Sequence, residues 1–272
     1  MDLPVRIIVL PTAAETAQIG AALVAAVVDR NSRAVLGFAT GSSPEPLYAA
    51  LREHADQGLD FSEVTGFALD EYIGLDPTHP ESYHSVLARD VVRPLALDPA
   101  RMNVPDGLGD PDTAGPAYDR AIAASGGVAL QILGVGANGH LGFNEPGSSF
   151  ASRTREVTLT ARTRDDNRRF FGGELATVPG SAMTQGIGTI LEARSLLVVA
   201  NGAHKAEAIG AALEGPLSSS CPTSAVQLHP SVTVLLDADA AAGLTRRDYY
   251  AEANAAWLER VRAWPAVLAL QS

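Results

Sequence analysis

Short apolar runs and longer amphipathic stretches alternate along the chain. Residues 6–10, 34–39, 64–69, 128–135, 156–160, 196–200 and 232–236 are short apolar or β-branched runs and predict strands. Between them, residues 12–30, 45–57, 81–92, 113–125, 163–171, 203–213 and 247–264 carry helical spacing of apolar positions, the first of them rich in alanine. The pattern reads βαβα throughout. Crossovers of this length join parallel strands, so the expected fold is α/β: a mainly parallel open sheet flanked by helices on both faces, Rossmann-like and doubly wound. No internal repeat, low-complexity segment or long linker divides the chain, and residues 1–272 are expected to form one domain.

Ligands of open α/β sheets bind outside the carboxyl ends of the strands. Four segments follow predicted strands directly and are expected to converge there: TGSSPEP after Ala39, DEYIGL after Leu69, GANGHLGFNEP after Val135 and NGAHK after Ala200.

Composition removes several classes of function. The 46% hydrophobic and 19% charged content is that of an ordinary globule, and no apolar run approaches the roughly 20 residues that span a bilayer. The N-terminus MDLPVRIIVLPTAAE has no basic region leading into a signal-type apolar segment, so a cytoplasmic enzyme without a membrane partner is expected. A net charge of −11 argues against nucleic acid, whose binding draws on clustered Lys and Arg. Of the 20 basic residues only Lys205 is a lysine. A site that keeps the compact, reorientable ammonium where every other position has arginine is worth following. The single cysteine, Cys221, cannot form an internal disulfide and reads as a small core residue.

The stretch LGVGANGHLGFNEPGSS poses a question of chemistry. Gly134, Gly136 and Gly139 spell G-x-G-x-x-G after a strand, the form of a dinucleotide turn. A true fingerprint opens a helix with its third glycine, whereas here Gly142, Pro146 and Gly147 follow and prevent a regular helix. The glycines read instead as a loop passing close to a ligand. That loop carries His140 and Glu145, close enough in sequence for a carboxylate to orient an imidazole that moves protons near neutral pH. No second His or Cys stands at metal-ligand spacing, and no metal is expected. In DEYIGL, a carboxylate at Asp70 just past a buried strand would have its proton affinity raised and could act as a base towards carbon, or could simply cap the turn before Gly74. Thr40, Gly41, Ser42 and Ser43 precede Pro44 at a helix start, an anion cradle without the G-K-[ST] ending of a nucleotide P-loop. Lys205 and Arg169 could complete a phosphate site, which makes a sugar phosphate the natural substrate class.

These segments carry a resemblance. TGSSP, DEYIGL with THPESYHS, GVGANGHLGFNEPGSS followed by SRTR, RRFF, GSAMTQGIGTIL and SAVQLHP occur in the order and spacing of the glucosamine-6-phosphate deaminase family, from about Thr40 to Pro230. The resemblance implies conversion of glucosamine 6-phosphate and water to fructose 6-phosphate and ammonia, within amino-sugar catabolism and without a redox cofactor. It implies catalytic roles for Asp70, Asn138, His140 and Glu145, with His140 opening the pyranose under the orientation of Glu145 and Asp70 moving a proton between C2 and C1. Thr40, Gly41, Ser42, Ser43, Arg169 and Lys205 would hold the phosphate.

The resemblance also sets limits. Position 138 is Asn, so His140 has no second carboxylate partner there and Glu145 carries that role. Members activated by N-acetylglucosamine 6-phosphate have a basic pair after the NEP loop; Arg155 fits the first position but Val157 stands at the second, so little or no activation is expected. The rivals are a deaminase for another amino-sugar phosphate such as galactosamine 6-phosphate, a 6-phosphogluconolactonase, which has no evident use for the NEP glutamate, and a non-enzymatic sugar-phosphate sensor. The resemblance allows a monomer or a homo-oligomer, and Trp257 and Trp264 on the last helix read as core or contact residues.

Overall fold

A computed structural model describes residues 5–269, the side chains of 264–269 excepted. In chain order the elements are β1 (Val5–Leu10), α1 (Ala13–Arg30), β2 (Val35–Phe38), α2 (Glu45–Asp56), β3 (Thr65–Ala68), β4 (Asp70–Tyr72), α3 (Tyr83–Leu87), β5 (Met102–Asn103) and α4 (Pro111–Ala124). There follow β6 (Leu130–Gly134), β7 (Arg155–Thr158), α5 (Ala161–Asn167), β8 (Ser181–Thr184), α6 (Ile187–Leu191), β9 (Leu196–Ala200), α7 (Ala206–Leu213), β10 (Val232–Asp237) and α8 (Arg247–Ala269).

Among the described residues, seven strands form one sheet in the order β1-β10-β9-β6-β2-β3-β5, and every pairing in it is parallel. Parallel strands are covered on both faces, which is why their sequences are nearly continuous apolar runs. β9 shows the consequence. Its Leu197 and Val199 enter one hydrophobic cluster, with α1 and α2, while Leu196, Val198 and Ala200 enter the other, with α4 and α7. Helix α1 starts where the Thr12 hydroxyl accepts the Glu15 N–H at 3.2 Å, and buries Ala17, Ala21, Val24 and Val28 along one stripe. Trp257 of α8 packs against the first cluster with the Arg6 guanidinium 4.4 Å from its ring centroid; the side chain of Trp264 lies outside the described residues. No helix among the described residues is long and apolar enough to cross a membrane.

The expected βαβα alternation breaks at one place. A second sheet, β4-β8-β7, is antiparallel and three-stranded, and the predicted strand at 156–160 belongs to it rather than to the parallel sheet. Strands β4 and β8 were not expected. Both are very short, and they exist because Asp70 pairs with Thr184 and Arg155 with the same residue across long stretches of chain. A small cluster of Tyr72, Phe143, Leu159, Phe171, Val178 and Ala182 packs around this sheet. Three predicted helices are also subdivided: α3 continues as a π-turn at Ala88–Val92, α5 continues as a 3-10 turn at Arg168–Phe170, and α7 is preceded by a 3-10 turn at Ala203–Lys205.

The parallel sheet has a switch point. The chain passes from β2 outward to β3 and β5, then returns to lay β6 on the other side of β2. The segments leaving β2 and β6 therefore diverge and open a crevice at their carboxyl ends.

Candidate active site

The segment leaving β2 turns into α2 at Pro44, and the Tyr48 hydroxyl donates to the Ala39 carbonyl at 2.7 Å, fixing the strand end to the helix. Ser43 is buried in this turn and accepts a hydrogen bond from the Lys205 ammonium at 2.6 Å. Lys205 arrives from the far side of β6, at the end of a 3-10 turn after β9. Asp237 at the end of β10 holds that turn: both its oxygens accept the Gly202 N–H at 3.0 Å, and one accepts the Ala240 N–H at 2.8 Å. Burial, and then the nearby Arg169, push the Lys205 ammonium down to about 8, with Asp237 opposing. Arg169 lines the same cavity beside Phe170, its guanidinium 4.7 Å from that ring centroid. Lys205 and Arg169 thus face one space with Thr40, Ser42 and Ser43, an arrangement suited to a dianion.

Asp70 lies beyond β3 as expected, but it begins strand β4 instead of capping the turn before Gly74. Its side chain lines the cavity and is only 5% exposed. Burial, followed by the charge of Glu71, pushes its carboxyl from the ordinary 3.8 up to about 8. Gly142 closes over it in the left-handed region, φ 58°, where a β-carbon would stand 3.2 Å from Asp70 Oδ2. A side chain there would be strained and would crowd the carboxylate.

The segment leaving β6 folds into a compact turn: Gly136 N–H donates to the His140 carbonyl at 3.0 Å and Gly139 N–H to the Gly136 carbonyl at 2.9 Å. No helix follows, which answers the question raised by the three glycines. The imidazole of His140 lies directly over Gly136, and any β-carbon there would collide with the ring. Burial lowers the proton affinity of His140, with Glu145 opposing and Lys205 adding to the fall. The imidazole is therefore neutral at pH 7, in its proton-accepting form.

Glu145 does not touch His140 directly, contrary to the expected pairing. The Asn138 amide stands between: its Nδ2 donates to Glu145 Oε2 at 2.8 Å while its Oδ1 accepts the His140 backbone N–H at 3.1 Å. Glu145 Oε1 accepts the Thr163 hydroxyl from α5 and, at 3.4 Å, that of Thr160. A carboxylate is acceptor-only, and these amide and hydroxyl donors hold it where it sits. His140 Nδ1 is left buried with no hydrogen-bond partner.

One cavity of about 760 Å³ joins these parts. Thr40, Gly41, Ser42, Ser43, Asp70, His140, Arg169 and Lys205 all line it, whereas Asn138 and Glu145 stand behind its wall. The sequence reading passed over other lining residues. Tyr72 and Tyr83 meet at 5.0 Å between ring centroids, and Tyr83 stacks nearly parallel on Phe143. Arg162, Asp166 and Asn167 of α5 and Phe171 form the opposite wall. The one available signal for Tyr72 and Tyr83 is their place within DEYIGL and ESYHS; nothing local marks Arg162 or Asp166, which reach the cavity through the packing of α5.

Comparison with known proteins gives a consistent family. Residues 11–235 match the family model described as glucosamine-6-phosphate isomerases/6-phosphogluconolactonase. The glucosamine-6-phosphate deaminase of Bifidobacterium longum subsp. infantis is 52% identical over 255 residues, covering 90% of this chain and 94% of that protein. That of Streptomyces avermitilis is 49% identical over 247 residues, covering 90% and 95%. Among solved structures, a monomeric glucosamine-6-phosphate deaminase superposes with a TM-score of 0.85 at 39% identity, covering 88% of this chain and all of that one. A 6-phosphogluconolactonase from Trypanosoma brucei shares the fold alone, with a TM-score of 0.70 at 18% identity over 88% of this chain and 98% of that one.

Proposed function

The chain belongs to the family of glucosamine-6-phosphate isomerases and 6-phosphogluconolactonases, and from that premise we propose that its cleft converts glucosamine 6-phosphate and water to fructose 6-phosphate and ammonia. The observation that carries this reading is the placement of Asp70 and His140 in one cavity with the Ser43–Lys205 pair. A carboxyl of raised proton affinity, a neutral imidazole and an anion grip are the three devices that an aldose-ketose isomerisation of a phosphorylated sugar needs. We read the whole chain as one isomerase/deaminase domain.

The steps follow from these groups. The phosphate sits between the Thr40–Ser43 turn, Lys205 and Arg169. His140 accepts the proton of the C1 hydroxyl and returns it to the ring oxygen, opening the pyranose to the aldehyde. Asn138 and Glu145 fix the loop that presents the imidazole, and the negative charge of Glu145 favours the protonated imidazole formed in passing. Asp70, as carboxylate, takes the proton from C2 and delivers it to C1 through an enolamine. The resulting iminium at C2 adds water, the C–N bond breaks, and ammonia leaves with the keto group formed.

The test measures ammonia and fructose 6-phosphate released from glucosamine 6-phosphate by purified protein, with galactosamine 6-phosphate and 6-phosphogluconolactone in parallel. Equal amounts of both products from the glucosamine substrate are expected. Ammonia from galactosamine 6-phosphate instead, or hydrolysis of the lactone alone, would replace this reading.

A further inference from the structure

Glu71, the neighbour of Asp70 in β4, has no part in the steps above and does not line the cavity. It is nonetheless only 4% exposed. Successive side chains of a strand point to opposite faces, so Asp70 faces the cleft while Glu71 faces the segment that leads into α3. There its carboxylate collects three backbone N–H groups: Tyr72 at 2.8 Å and Tyr83 at 2.9 Å on Oε1, and His84 at 3.0 Å on Oε2. Tyr83 and His84 open α3, and their N–H groups have no partner within the helix. The ordinary cap is already present, since the Ser82 hydroxyl accepts the Ser85 N–H at 3.1 Å. Glu71 is therefore an additional clamp, reaching from the strand of Asp70 to the helix that walls the cleft.

What it clamps matters to the site. The Tyr83 ring lines the cavity, stacks on Phe143 and packs on Tyr72, and its hydroxyl meets those of Tyr72 and Thr40. Tyr83 is thus the wall between Asp70 and the Thr40–Ser43 turn. Resting on the proposed deaminase reading, we propose that Glu71 is a positioning residue of the reaction, which ties the Tyr83 wall to the Asp70 base and sets its charge beside that base.

Two consequences separate this role from that of a simple cap. The charge of Glu71 is one of the two causes that raise the proton affinity of Asp70, the other being burial. The remaining titratable groups near the pair are Tyr72 from β4, Tyr83 and His84 from α3, and Tyr118 from α4, with His140 across the cavity. Burial pushes the three tyrosines well above neutrality, so none of them carries charge in the range where Asp70 titrates. His140 is neutral there, and His84 acts on Glu71 from the same helix that Glu71 holds. Replacing Glu71 by Gln keeps its shape but removes the charge and one acceptor oxygen. Replacing it by Asp keeps the charge but withdraws the carboxylate from α3.

The experiment compares wild type, Glu71→Gln and Glu71→Asp by ammonia release across pH and, without substrate, by 13C NMR titration of labelled aspartate, with the Asp70 signal assigned through Asp70→Asn. Glu71→Gln should lower kcat about tenfold and move the Asp70 midpoint to lower pH by about one unit. Glu71→Asp should lower kcat similarly while leaving that midpoint near its wild-type position. Unchanged kcat and midpoint in both variants would overturn the proposal. So would a loss of thermal stability and rate in which the folded Glu71→Gln protein keeps the wild-type Asp70 midpoint, for that is a structural role alone. If the wild type released no ammonia, the deaminase reading would fail on that result, whereas the Asp70 midpoints would still decide whether the two carboxylates are coupled.

Discussion

The seven-stranded and three-stranded sheets meet at one cleft, but they hold their functional groups by different means. The parallel sheet delivers Thr40–Ser43, His140 and Lys205 from loops at the carboxyl ends of β2, β6 and β9, beside strands whose apolar side chains are buried on both faces. The antiparallel sheet delivers Asp70 from within a strand of three residues that exists only through its pairing with β8. The first is a rigid shelf from which polar loops project. The second is a small patch in which two adjacent carboxylates are themselves buried. Most of the grip, the Thr40–Ser43 turn and Lys205, is placed on the stable element, with Arg169 added from the turn between β7 and β8, and the proton affinity that chemistry needs is set in the small sheet, where burial raises it.

The sharpest way to break this division is Asp70→Asn. Turnover should fall by roughly 10²-fold or more while KM for glucosamine 6-phosphate changes little, because Asp70 is not part of the Ser43–Lys205 grip. The same substitution tests the small sheet as a site of stored electrostatic strain. Folding holds the Asp70 carboxyl neutral up to about 8, against 3.8 ordinarily. The stability that comes with the neutral form is thus fully present below about pH 4 and is lost as pH rises through 8. Asn stays neutral throughout. The Tm of the variant relative to wild type should therefore climb between pH 5 and pH 8, and a flat difference would mean that Asp70 ionises freely in the folded protein.

Lys205→Met addresses the opposite side of the comparison. It should raise KM by about 10- to 100-fold, the scale of a lost charged hydrogen bond, with a smaller effect on kcat. Since burial and Arg169 push the Lys205 ammonium down to about 8, KM of the wild type should itself rise above that pH as the ammonium loses its proton. The acid side of the wild-type profile belongs to Asp70 in this picture, so kcat/KM should climb towards pH 8 and fall beyond it. A KM that stays constant to pH 9.5 would remove Lys205 from phosphate binding.

The two sheets were also unequally legible in the sequence. Runs such as LLVVA and VTVLLD announce parallel strands because burial on both faces demands uninterrupted apolar residues. The loops that follow them could be read as ligand-facing because they leave the carboxyl ends of parallel strands. Asp70 and its raised proton affinity were legible from its place after a buried strand. Strands β4 and β8 were not, because SAMT and DEY have no period of their own and are strands only once Asp70 lies against Thr184. The geometry around Glu145 was hidden for a related reason: sequence puts it near His140, and only the folded loop and the packing of α5 reveal that Asn138 and Thr163 take its oxygens. Glu71 was visible beside Asp70, but two of the three N–H groups it serves lie twelve and thirteen residues on.

A milder substitution separates the shelf from the chemistry it supports. Leu197 in β9 is fully buried between the sheet and the first helical layer, and Leu197→Ala should cost about 2–5 kcal/mol of stability. Its neighbours in the sheet stay paired, so the folded fraction should keep a KM and kcat within about twofold of wild type, within the usual tolerance for sites without shared partners. A large change in KM with little loss of Tm would show that the parallel sheet is less rigid than its packing implies.

The smallest effect expected is from N-acetylglucosamine 6-phosphate, and it bears on how closely the small sheet is bound to the chemistry. Strand β7 brings Arg155 opposite Thr184, the residue that Asp70 faces from the other side, so a ligand on Arg155 would be one strand away from the base. Yet the Arg155 guanidinium is engaged within the protein, donating to Asn144 Oδ1 at 2.9 Å and to the Ser148 hydroxyl at 3.4 Å. Two residues on, Val157 packs against the aromatic cluster around Tyr72. A lysine there would have to place its ammonium against that apolar cluster or turn it away, and valine offers no charge to an anion at all. The saturation curve for glucosamine 6-phosphate should accordingly be superimposable with and without the effector. A several-fold fall in KM on adding it would mean that Arg155 can leave Asn144 for a phosphate, and that the small sheet transmits the change to Asp70 through Thr184.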